Sequence, residues 1–297
     1  MAKLKTDLIS PADLLQFVES QSDFAFELRT LEWLNANGFI CEHGGSYNDP
    51  ATGKPRQFDI RAVRFNGEGV LHLAVECKNV SAHSPLLISC VPRIEREAYH
   101  DVAFGFRPIV LAERQPDLLG TLHSSEARAG VVRASRGNSI YRVNEPVGKS
   151  CDQVGRTTGN DLVGSDAEVY EKWSQALSSS RDLIKTALSD GLRAETGYSM
   201  SLVVPCVVVP DDRLWTVVYE TSGKRKSDPV PVERCSFYVD QHHDPYSEHK
   251  FKFSVSHLEF VTLSGLAKLV DSILGNDRRA NVSFASRQVL SRIKAGA

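Results

Sequence analysis

The chain has 297 residues, of which 41% are hydrophobic and 24% are charged, a composition typical of a globular protein with a sizeable core. The formal net charge of −2 argues against nucleic-acid binding through overall charge, although it leaves a local basic groove open. Six cysteines stand singly without a CxxC pair, which predicts a reduced, cytoplasmic protein. Because no stretch approaches the ~18 apolar residues of a membrane span, we expect neither a signal peptide nor a membrane segment.

Two helices are predicted before the first strand. Ser10 is a suitable N-cap, and Pro11 follows it at the first helical position, so a short helix should run over residues 11–19. A second helix is predicted over residues 22–38, because Gly38 is a typical C-cap.

The second helix carries an acidic residue among its apolar positions. The predicted core-facing stripe consists of Phe24, Leu28, Leu31 and Leu34. Glu27 falls inside this stripe, whereas Glu32 lies off it and should be solvated. A carboxylate on a core-facing stripe is costly unless it is paired or bound to a cation. Glu27 is therefore a candidate site residue, with a border residue that reaches water as the alternative.

A β-hairpin is the strongest feature of the sequence. After a short strand at 39–42 and a loop at 44–56, alternating apolar residues flank the turn sequence NGEG at 66–69. If the turn is centred on its second and third residues, Asp59 lies directly opposite Glu76. If it is centred one residue earlier, Asp59 opposes Ala74 and meets Glu76 only diagonally.

The end of this hairpin concentrates charge on one face. Alternation along the second strand places Glu76 and Lys78 on one side, with Val75 and Cys77 on the other. Two carboxylates and an ammonium group would then converge, which favours a site for a hard cation and an anionic substrate. The alternative is a salt-bridged strand end without chemistry.

The middle of the chain is harder to interpret. It contains a short strand at 86–91, a helical turn at 93–100 and another short strand at 109–111. Residues 124–141 form the most basic stretch and include Arg133 and Arg136. This stretch is either a solvated loop or a loop that contacts phosphate beside the acidic site.

A short GKS sequence at 148–150 does not predict a nucleotide-binding loop. The full pattern requires a glycine five residues before Gly148, where this chain has Val143. Lys149 and Gln153 are four residues apart, so they could share a helix face and position a phosphate. A polar surface helix is the alternative.

The second half is predicted to complete one α/β domain. A long helix should occupy 166–188, with a break near 178–180, and a buried central strand should occupy 200–209. Pro205 within that strand predicts a bulge or an edge-facing position. Further short strands are predicted at 214–219, 237–240 and 251–255, and further helices at 263–274 and 283–293. The histidines at 242, 243, 249 and 257 lie in or near a predicted loop and match no zinc pattern.

The order of these elements resembles the PD-(D/E)XK nuclease superfamily, which has the restriction-endonuclease-like fold. The resemblance rests on a helix bearing Glu27, a strand beginning at Asp59, and the triplet Glu76-Cys77-Lys78. It covers residues 22–79, and the helix and strand within 166–209 fit the rest of an αβββαβ core. Phe58 stands where the family motif has a proline. The resemblance implies one domain over 1–297, with a mixed central sheet flanked by helices, a core at 10–79 and 166–275, and a long insertion at about 80–165.

The same resemblance implies a function. Glu27, Asp59, Glu76 and Lys78 would be the catalytic residues. Mg²⁺, for which Mn²⁺ can substitute, would bind Asp59, Glu76 and the backbone carbonyl of Cys77. The expected activity is hydrolysis of DNA phosphodiester bonds, in defence or repair. The basic stretch and the spacing described above add Lys149, Gln153, Arg133 and Arg136 as candidates for substrate contact. The alternative is an inactive nuclease-fold module that binds nucleic acid or a partner protein. A homodimer or a partner subunit stays open.

Overall fold

The computed structural model describes residues 7–20, 22–49, 52–114, 128–193, 195, 197–243 and 252–295. Its helices, in chain order, are α1 (Pro11–Ser20), α2 (Phe24–Ala36), α3 (Pro108–Arg114), α4 (Ala167–Arg193), α5 (Gly265–Leu274), α6 (Asp277–Ser283) and α7 (Ser286–Lys294), with a 3₁₀ turn at Glu95–Glu97. Its strands are β1 (Ile40–His43), β2 (Ser46–Asn48), β3 (Pro55–Gln57), β4 (Ile60–Asn66), β5 (Gly69–Cys77), β6 (Leu86–Pro92), β7 (His100–Phe106), β8 (Arg128–Ala134), β9 (Pro146–Arg156), β10 (Leu162–Ser165), β11 (Tyr198–Val209), β12 (Leu214–Val218), β13 (Val230–Pro231), β14 (Arg234–His243) and β15 (Phe253–Thr262).

A single large mixed sheet dominates the fold. Its main path runs β1-β4-β5-β11-β15-β14-β9-β6-β12-β13, while β10 pairs with β9, and β7 joins β11 to β8. The pairs β5–β11, β11–β15, β14–β9 and β12–β6 are parallel, and the other neighbours are antiparallel. The predicted α/β class, with a mixed sheet flanked by helices, is confirmed. Strands from the predicted insertion at about 80–165 join this same sheet.

Helices cover both faces of the sheet, and β11 separates them. Leu202 and Val204 pack in one core cluster with residues of α2, α5 and α7. Val203 lies in another cluster with Leu177 and Ile184 of α4. Because side chains alternate along a strand, α4 covers one face, and α2 and α5–α7 cover the other.

The hairpin has the register that the turn sequence predicts. Ile60 pairs with Val75, and Asn66 pairs with Gly69, so the two central turn residues lie between them. Gly67 adopts φ +59°, a left-handed conformation that glycine takes without strain. The alternative register, one residue earlier, is not observed. Asp59, immediately before β4, therefore faces Glu76.

The predicted apolar stripe of α2 is wrong in part. Phe24 and Leu28 are 58% and 42% exposed, whereas Phe26, Thr30 and Leu34 are buried. The reason is that α2 packs at the margin of the sheet, against β1, β4 and β5, so only a narrow line of the helix faces the core. Glu32 is exposed, as predicted.

Other boundaries differ from the prediction for local reasons. The predicted loop at 44–56 contains the small hairpin of β2 and β3. Residues 109–111 lie in α3 rather than in a strand, and the strand of this region is β7. Helix α4 continues unbroken through 178–180, where the Ser180 hydroxyl donates to the Leu177 carbonyl at 2.8 Å and so needs no other partner.

The basic stretch and the proline strand also need correction. The part of residues 124–141 that the structure describes begins with β8 and is not a simple loop; residues 124–127 lie outside the described range. β11 keeps a continuous register with β5 through Pro205, so no bulge forms. Pro205 lies between the segments of β11 that pair with β7 and with β15, where that edge has no described partner strand.

The histidine-rich region forms strands rather than a loop. His242 and His243 belong to β14, while His257 belongs to β15 and stacks on Tyr141 with ring centroids 3.7 Å apart. His249 lies outside the described residues. All six cysteines are free thiols. Among the helices of the described ranges, none has both the length and the apolarity that crossing a membrane requires.

Candidate functional site

The hairpin brings two carboxylates together at one end of β5. Asp59 is held in place by the backbone: its Oδ2 accepts a hydrogen bond from the Cys77 N–H at 2.7 Å. This bond fixes the Asp59 side chain beside the strand that carries Glu76. The predicted approach of these two acids is therefore found in the structure.

A lysine from α4 lies between the two acids. Lys172 Nζ is 2.7 Å from Asp59 Oδ2 and 3.6 Å from Glu76 Oε2. Burial works to lower the pKa of Lys172, but the two carboxylates more than offset this effect and raise the pKa. Lys172 is therefore protonated at neutral pH and partly balances the charge of the acids.

Glu76 has an unusual environment for a carboxyl group. It is fully buried, and neither of its side-chain oxygens has a hydrogen-bond partner among the described residues. Burial, followed by the charge of Asp59, raises its pKa to about 9, although Lys172 opposes the shift. Without another cation, Glu76 is thus protonated at neutral pH. A buried carboxyl whose oxygens lack a hydrogen bond would be stabilised by a bound cation.

Lys78 does not contact Asp59 or Glu76, contrary to the prediction. Its Nζ lies 3.0 Å from Glu168 Oε2 of α4 and 3.8 Å from Asp23 Oδ2 at the start of α2. Asp23 also accepts a hydrogen bond from the Asn79 N–H at 2.7 Å, which ties α2 to the end of β5. The physical reason is that the strand ends at Cys77, so alternation no longer fixes the direction of Lys78.

Glu27 contributes a third acid from α2. Its side chain is 16% exposed, and Oε2 lies 3.4 Å from His43 Nε2 on β1. Burial raises the pKa of Glu27, the Asp59 charge raises it further, and the contact with His43 lowers it. Glu27 is therefore neither in the core nor freely solvated, and it lies within the electrostatic field of Asp59.

Cys77 has the orientation predicted for it. The thiol is buried in the core cluster on the far side of the strand, where burial raises its pKa. The backbone N–H faces Asp59, whereas the next N–H, that of Lys78, donates to the Val208 carbonyl on the opposite edge. Because the N–H and C=O of one residue in an extended strand lie on the same edge, the Cys77 carbonyl also faces the Asp59 side.

A second contact fixes α4 against the hairpin. Arg61, two residues after Asp59, donates to Ser179 Oγ at 3.1 Å and to Asp182 Oδ2 at 2.9 Å. Its guanidinium also lies 4.7 Å from the Tyr47 ring centroid and 4.3 Å from that of Phe58. These contacts set the longitudinal position of α4 and hence the position of Lys172.

Sequence reasoning missed Lys172, although a signal exists. It lies four residues before Ala176 and eight before Ser180, and both of these residues are fully buried. A lysine on the buried line of a helix is as costly as the glutamate that drew attention to α2. The helical pattern alone does not identify its partners, Asp59 and Glu76, because they lie more than ninety positions earlier in the chain.

None of the four predicted substrate residues has a contact with Asp59 or Glu76 among the interactions that the structure describes. Lys149 and Gln153 lie on the strand β9 and not on a helix. Lys149 Nζ is bound to Glu97 Oε1 at 2.9 Å, and the backbone of Gln153 pairs with Ser165, just before α4. The helix prediction was wrong because polar residues interrupt the alternation of apolar side chains that would identify β9 as a strand.

The two arginines lie at the other end of the sheet. Arg133 forms a bidentate pair with Asp101 on β7, with N–O distances of 2.8 and 3.0 Å. β7 meets β11 near Ser201, seven residues before the partner of Cys77, which corresponds to about 20 Å along a strand. Arg136 is exposed in the turn that follows β8. These arginines therefore do not lie beside the acidic site.

The donor set fits a hard divalent cation. Two carboxylates and a backbone carbonyl are oxygen ligands, and Mg²⁺ retains several waters, so it needs few protein ligands. No cluster of three or more His, Cys, Asp or Glu side chains suited to a metal ion is found within the described ranges. The buried oxygens of Glu76, which have no hydrogen bond to a described residue and only the longer Lys172 contact at 3.6 Å, are the observation that favours a cation here.

Comparison with known proteins gave no match among family models, curated proteins or solved structures.

Proposed function

We propose that the chain is a Mg²⁺-dependent nuclease that hydrolyses DNA phosphodiester bonds, with a core of the restriction-endonuclease-like type. The order α2, β1, β4, β5, α4, β11 follows the helix–three strands–helix–strand order of that core. The sheet joins the four strands as direct neighbours, in the order β1-β4-β5-β11. This topology places Asp59, Glu76 and Lys172 at one end of the central strands, and it supports the proposal.

The observation that carries the proposal is the state of Glu76. A fully buried carboxyl without a hydrogen bond costs about 1–3 kcal/mol or more, and burial beside Asp59 adds to that cost. Lys172 lies within ion-pair distance of both carboxylates, at 2.7 Å from Asp59 Oδ2 and 3.6 Å from Glu76 Oε2, and its single charge balances only one of the two when both are ionised. A carboxyl that gains from binding a cation during function accounts for this arrangement.

Asp59, Glu76 and the Cys77 carbonyl would hold the metal. When bound, Mg²⁺ polarises the scissile phosphate and increases the acidity of a coordinated water. The proton that Glu76 holds at neutral pH must leave before the carboxylate can serve as a ligand, since its pKa is about 9.

The residues of the chain would share the remaining work. Lys172, kept protonated by Asp59, would hold a non-bridging phosphate oxygen and offset the charge that develops on it. Glu27, with its raised pKa and its His43 contact, would orient a water at the edge of the site. Lys78 would support Glu168 and the start of α4 rather than the reacting atoms.

A second candidate is a module of the same fold that binds nucleic acid or a partner protein without cleaving it. One observation favours it: both lysines near the acids are already engaged in ion pairs, Lys78 with Glu168 and Lys172 with Asp59. In that case Lys172 would be a permanent substitute for the cation, and the site would be closed.

The two candidates differ in one assay. Purified protein is incubated with labelled single- and double-stranded DNA and with RNA, in EDTA, Mg²⁺ or Mn²⁺. Asp59→Asn and Glu76→Gln variants are compared with Glu32→Gln, which removes an exposed carboxylate of α2 outside the site. We expect metal-dependent DNA cleavage by the wild-type protein and by Glu32→Gln, with loss in the two site variants. Cleavage that persists in both site variants, or DNA binding without cleavage in either metal, would overturn the nuclease assignment.

A further inference from the structure

A second polar feature lies on the opposite face of the sheet from α4. An open cavity of about 920 Å³ is lined by the ends of β6, β12 and β14, by α5 and α6, and by the loop after β8. Pockets that hold small molecules span about 300–1,000 Å³, so this cavity has the size of a ligand site. It contains none of the acidic residues at the end of β5.

Basic side chains outnumber acidic ones in the lining of this cavity. Six of its side chains are basic, and two are acidic. The basic ones are Arg93, Arg142, Arg234, Lys268, Arg278 and Arg279. Four of them are ion-paired, Arg93 with Glu145, Arg234 with Glu259, Lys268 with Glu233 and Arg279 with Asp271, so among the described residues Arg142 and Arg278 supply the unpaired positive charge. A concave surface of one sign concentrates ions of the other sign.

Arg93 is the largest fully buried side chain among the residues that the structure describes, and it lines the floor of this cavity. It is 1% exposed, and its guanidinium donates to His257 Nε2, to the Arg142 carbonyl and to Ser236 Oγ, which are all neutral acceptors. Arg93 Nη1 also donates to Glu145 Oε2 at 3.4 Å, and Glu145 is half exposed. The only carboxylate that pairs with this buried positive charge among the described residues is thus screened by solvent, and an anion in the cavity would add to the charge balance.

Arg234 provides a useful contrast on the same floor. Its guanidinium is bidentate to the fully buried Glu259, at 2.8 and 3.0 Å, and it donates to Ser272 Oγ at 2.7 Å. Its charge is balanced within the protein. The fold can thus supply a buried carboxylate to an arginine in this region, and it does not do so for Arg93.

The rim offers groups that are free to bind. Arg142 and Arg278 are exposed, and their guanidinium groups have neither an ion pair nor a hydrogen bond within the described part of the chain. The Ser283 hydroxyl, which also lines the cavity, is fully buried and has no hydrogen-bond partner there. Guanidinium groups and hydroxyls are the side-chain donors that suit phosphate oxygens.

We propose that this cavity binds a small anion that carries two or more phosphate groups. One phosphate would lie at the floor of the cavity, near Arg93 and the Ser283 hydroxyl. The next phosphate would lie at the rim, near Arg142 and Arg278. Recognition would be through phosphate rather than through a base, because the aromatic ring of the lining, Tyr141, is already stacked on His257. The inference does not depend on nuclease activity.

The test is calorimetric titration of the full chain with pyrophosphate and with tripolyphosphate. EDTA is present throughout, so that phosphate cannot bind through a metal at Asp59. The double variant Arg142→Ser/Arg278→Ser removes the two rim cations, which have no structural contacts to lose. The matched control is Arg287→Ser/Arg292→Ser, which removes two exposed arginines of α7 that do not line the cavity.

We expect binding of one anion per chain, with affinity reduced about tenfold or more in the rim variant and unchanged in the control. Orthophosphate should bind more weakly than pyrophosphate. Three results would overturn the proposal: no binding of either polyphosphate at about 10 mM, an equal loss in the rim variant and in the control, or binding of a 5′-phosphorylated oligonucleotide by a protein that does not bind pyrophosphate.

Discussion

Lys172 donates a hydrogen bond to Asp59 across 113 positions of the chain, at 2.7 Å. This contact joins the long helix α4 to the hairpin and places a buried ammonium group between two acids. Lys78, which belongs to the motif triplet, contacts neither acid, since its described partners are Glu168 and Asp23. The two lysines therefore have different roles in the proposed site.

The first prediction distinguishes the roles of Lys172 and Lys78 in DNA cleavage. We expect Lys172→Met to reduce DNA cleavage by about 100-fold, because it removes a cation directed at the developing charge. Lys78→Met should reduce cleavage by about tenfold or less, through the position of α4. Single-turnover rates at saturating Mg²⁺ measure both effects.

A control excludes general damage in this comparison. Removing Lys172 also removes a competitor for the acids, so Lys172→Met should bind Ca²⁺ more tightly than the wild-type protein. Weaker Ca²⁺ binding by a folded Lys172→Met protein would contradict the placement of the cation site at Asp59 and Glu76.

The second prediction concerns alkaline stability. The pKa of Glu76 is about 9 in the folded protein and 4.5 in the unfolded chain, so the folded state retains a proton that the unfolded state loses. The free energy of unfolding that this group contributes therefore decreases as the pH rises from 4.5 towards 9. We expect the free energy of unfolding of the wild-type protein, relative to Glu76→Gln, to fall by about 1 kcal/mol per pH unit over this range.

Urea unfolding in EDTA at several pH values measures this slope. Glu32→Gln is the control, because Glu32 is exposed on α2, and its profile should match that of the wild-type protein. Parallel profiles for wild-type and Glu76→Gln proteins would mean that Glu76 is ionised in the folded state.

The third prediction concerns acid stability. His100 Nε2 donates a hydrogen bond to the Ser283 carbonyl at 2.7 Å, and its Nδ1 lies 3.1 Å from Ser139 Oγ. Burial lowers its pKa to about 4, and the Ser283 contact and the Asp101 charge offset this only in part. The folded pKa lies below the unfolded value of 6.5. The contribution of His100 to the free energy of unfolding is therefore fully present above pH 6.5 and is lost as the pH falls towards 4.

We expect His100→Gln to flatten the stability profile between pH 6.5 and 4 by about 1 kcal/mol per pH unit. The exposed His83 provides the matched variant, His83→Gln, which should retain the wild-type slope. Thermal unfolding over this pH range would show the difference, and an unchanged slope in His100→Gln would refute the buried neutral state.

The fourth prediction tests the hairpin register. A Cβ atom added to Gly69 would lie 2.5 Å from the Phe284 ring, so Gly69→Ala should destabilise the protein by about 1–3 kcal/mol. Gly67 has φ +59° and open space around it, so Gly67→Asn should cost less than about 1 kcal/mol. Denaturant midpoints compare the two. A larger loss at Gly67 than at Gly69 would contradict the register.

The sequence predicts those parts of the site that depend on local chemistry. The turn residues around Gly67 and the alternation along β5 determine the register, and these brought Asp59 to Glu76 correctly. The inward face of α2 was misassigned because it depends on how the helix crosses the sheet margin, which exposes Phe24 and buries Phe26. The partner of Lys172 could not be predicted, since helix periodicity identifies a buried face and not what that face meets.

The position of β5 between β4 and β11 has a consequence for the protein during its synthesis. The acid pair is encoded early, but Lys172 and the second neighbour of β5 emerge from the ribosome much later. A nascent chain that has reached Asn79 carries both carboxylates without their ammonium partner and with one edge of β5 unpaired. The proposed site therefore acquires Lys172 and the second neighbour of β5 only after the segment up to β11 has been translated.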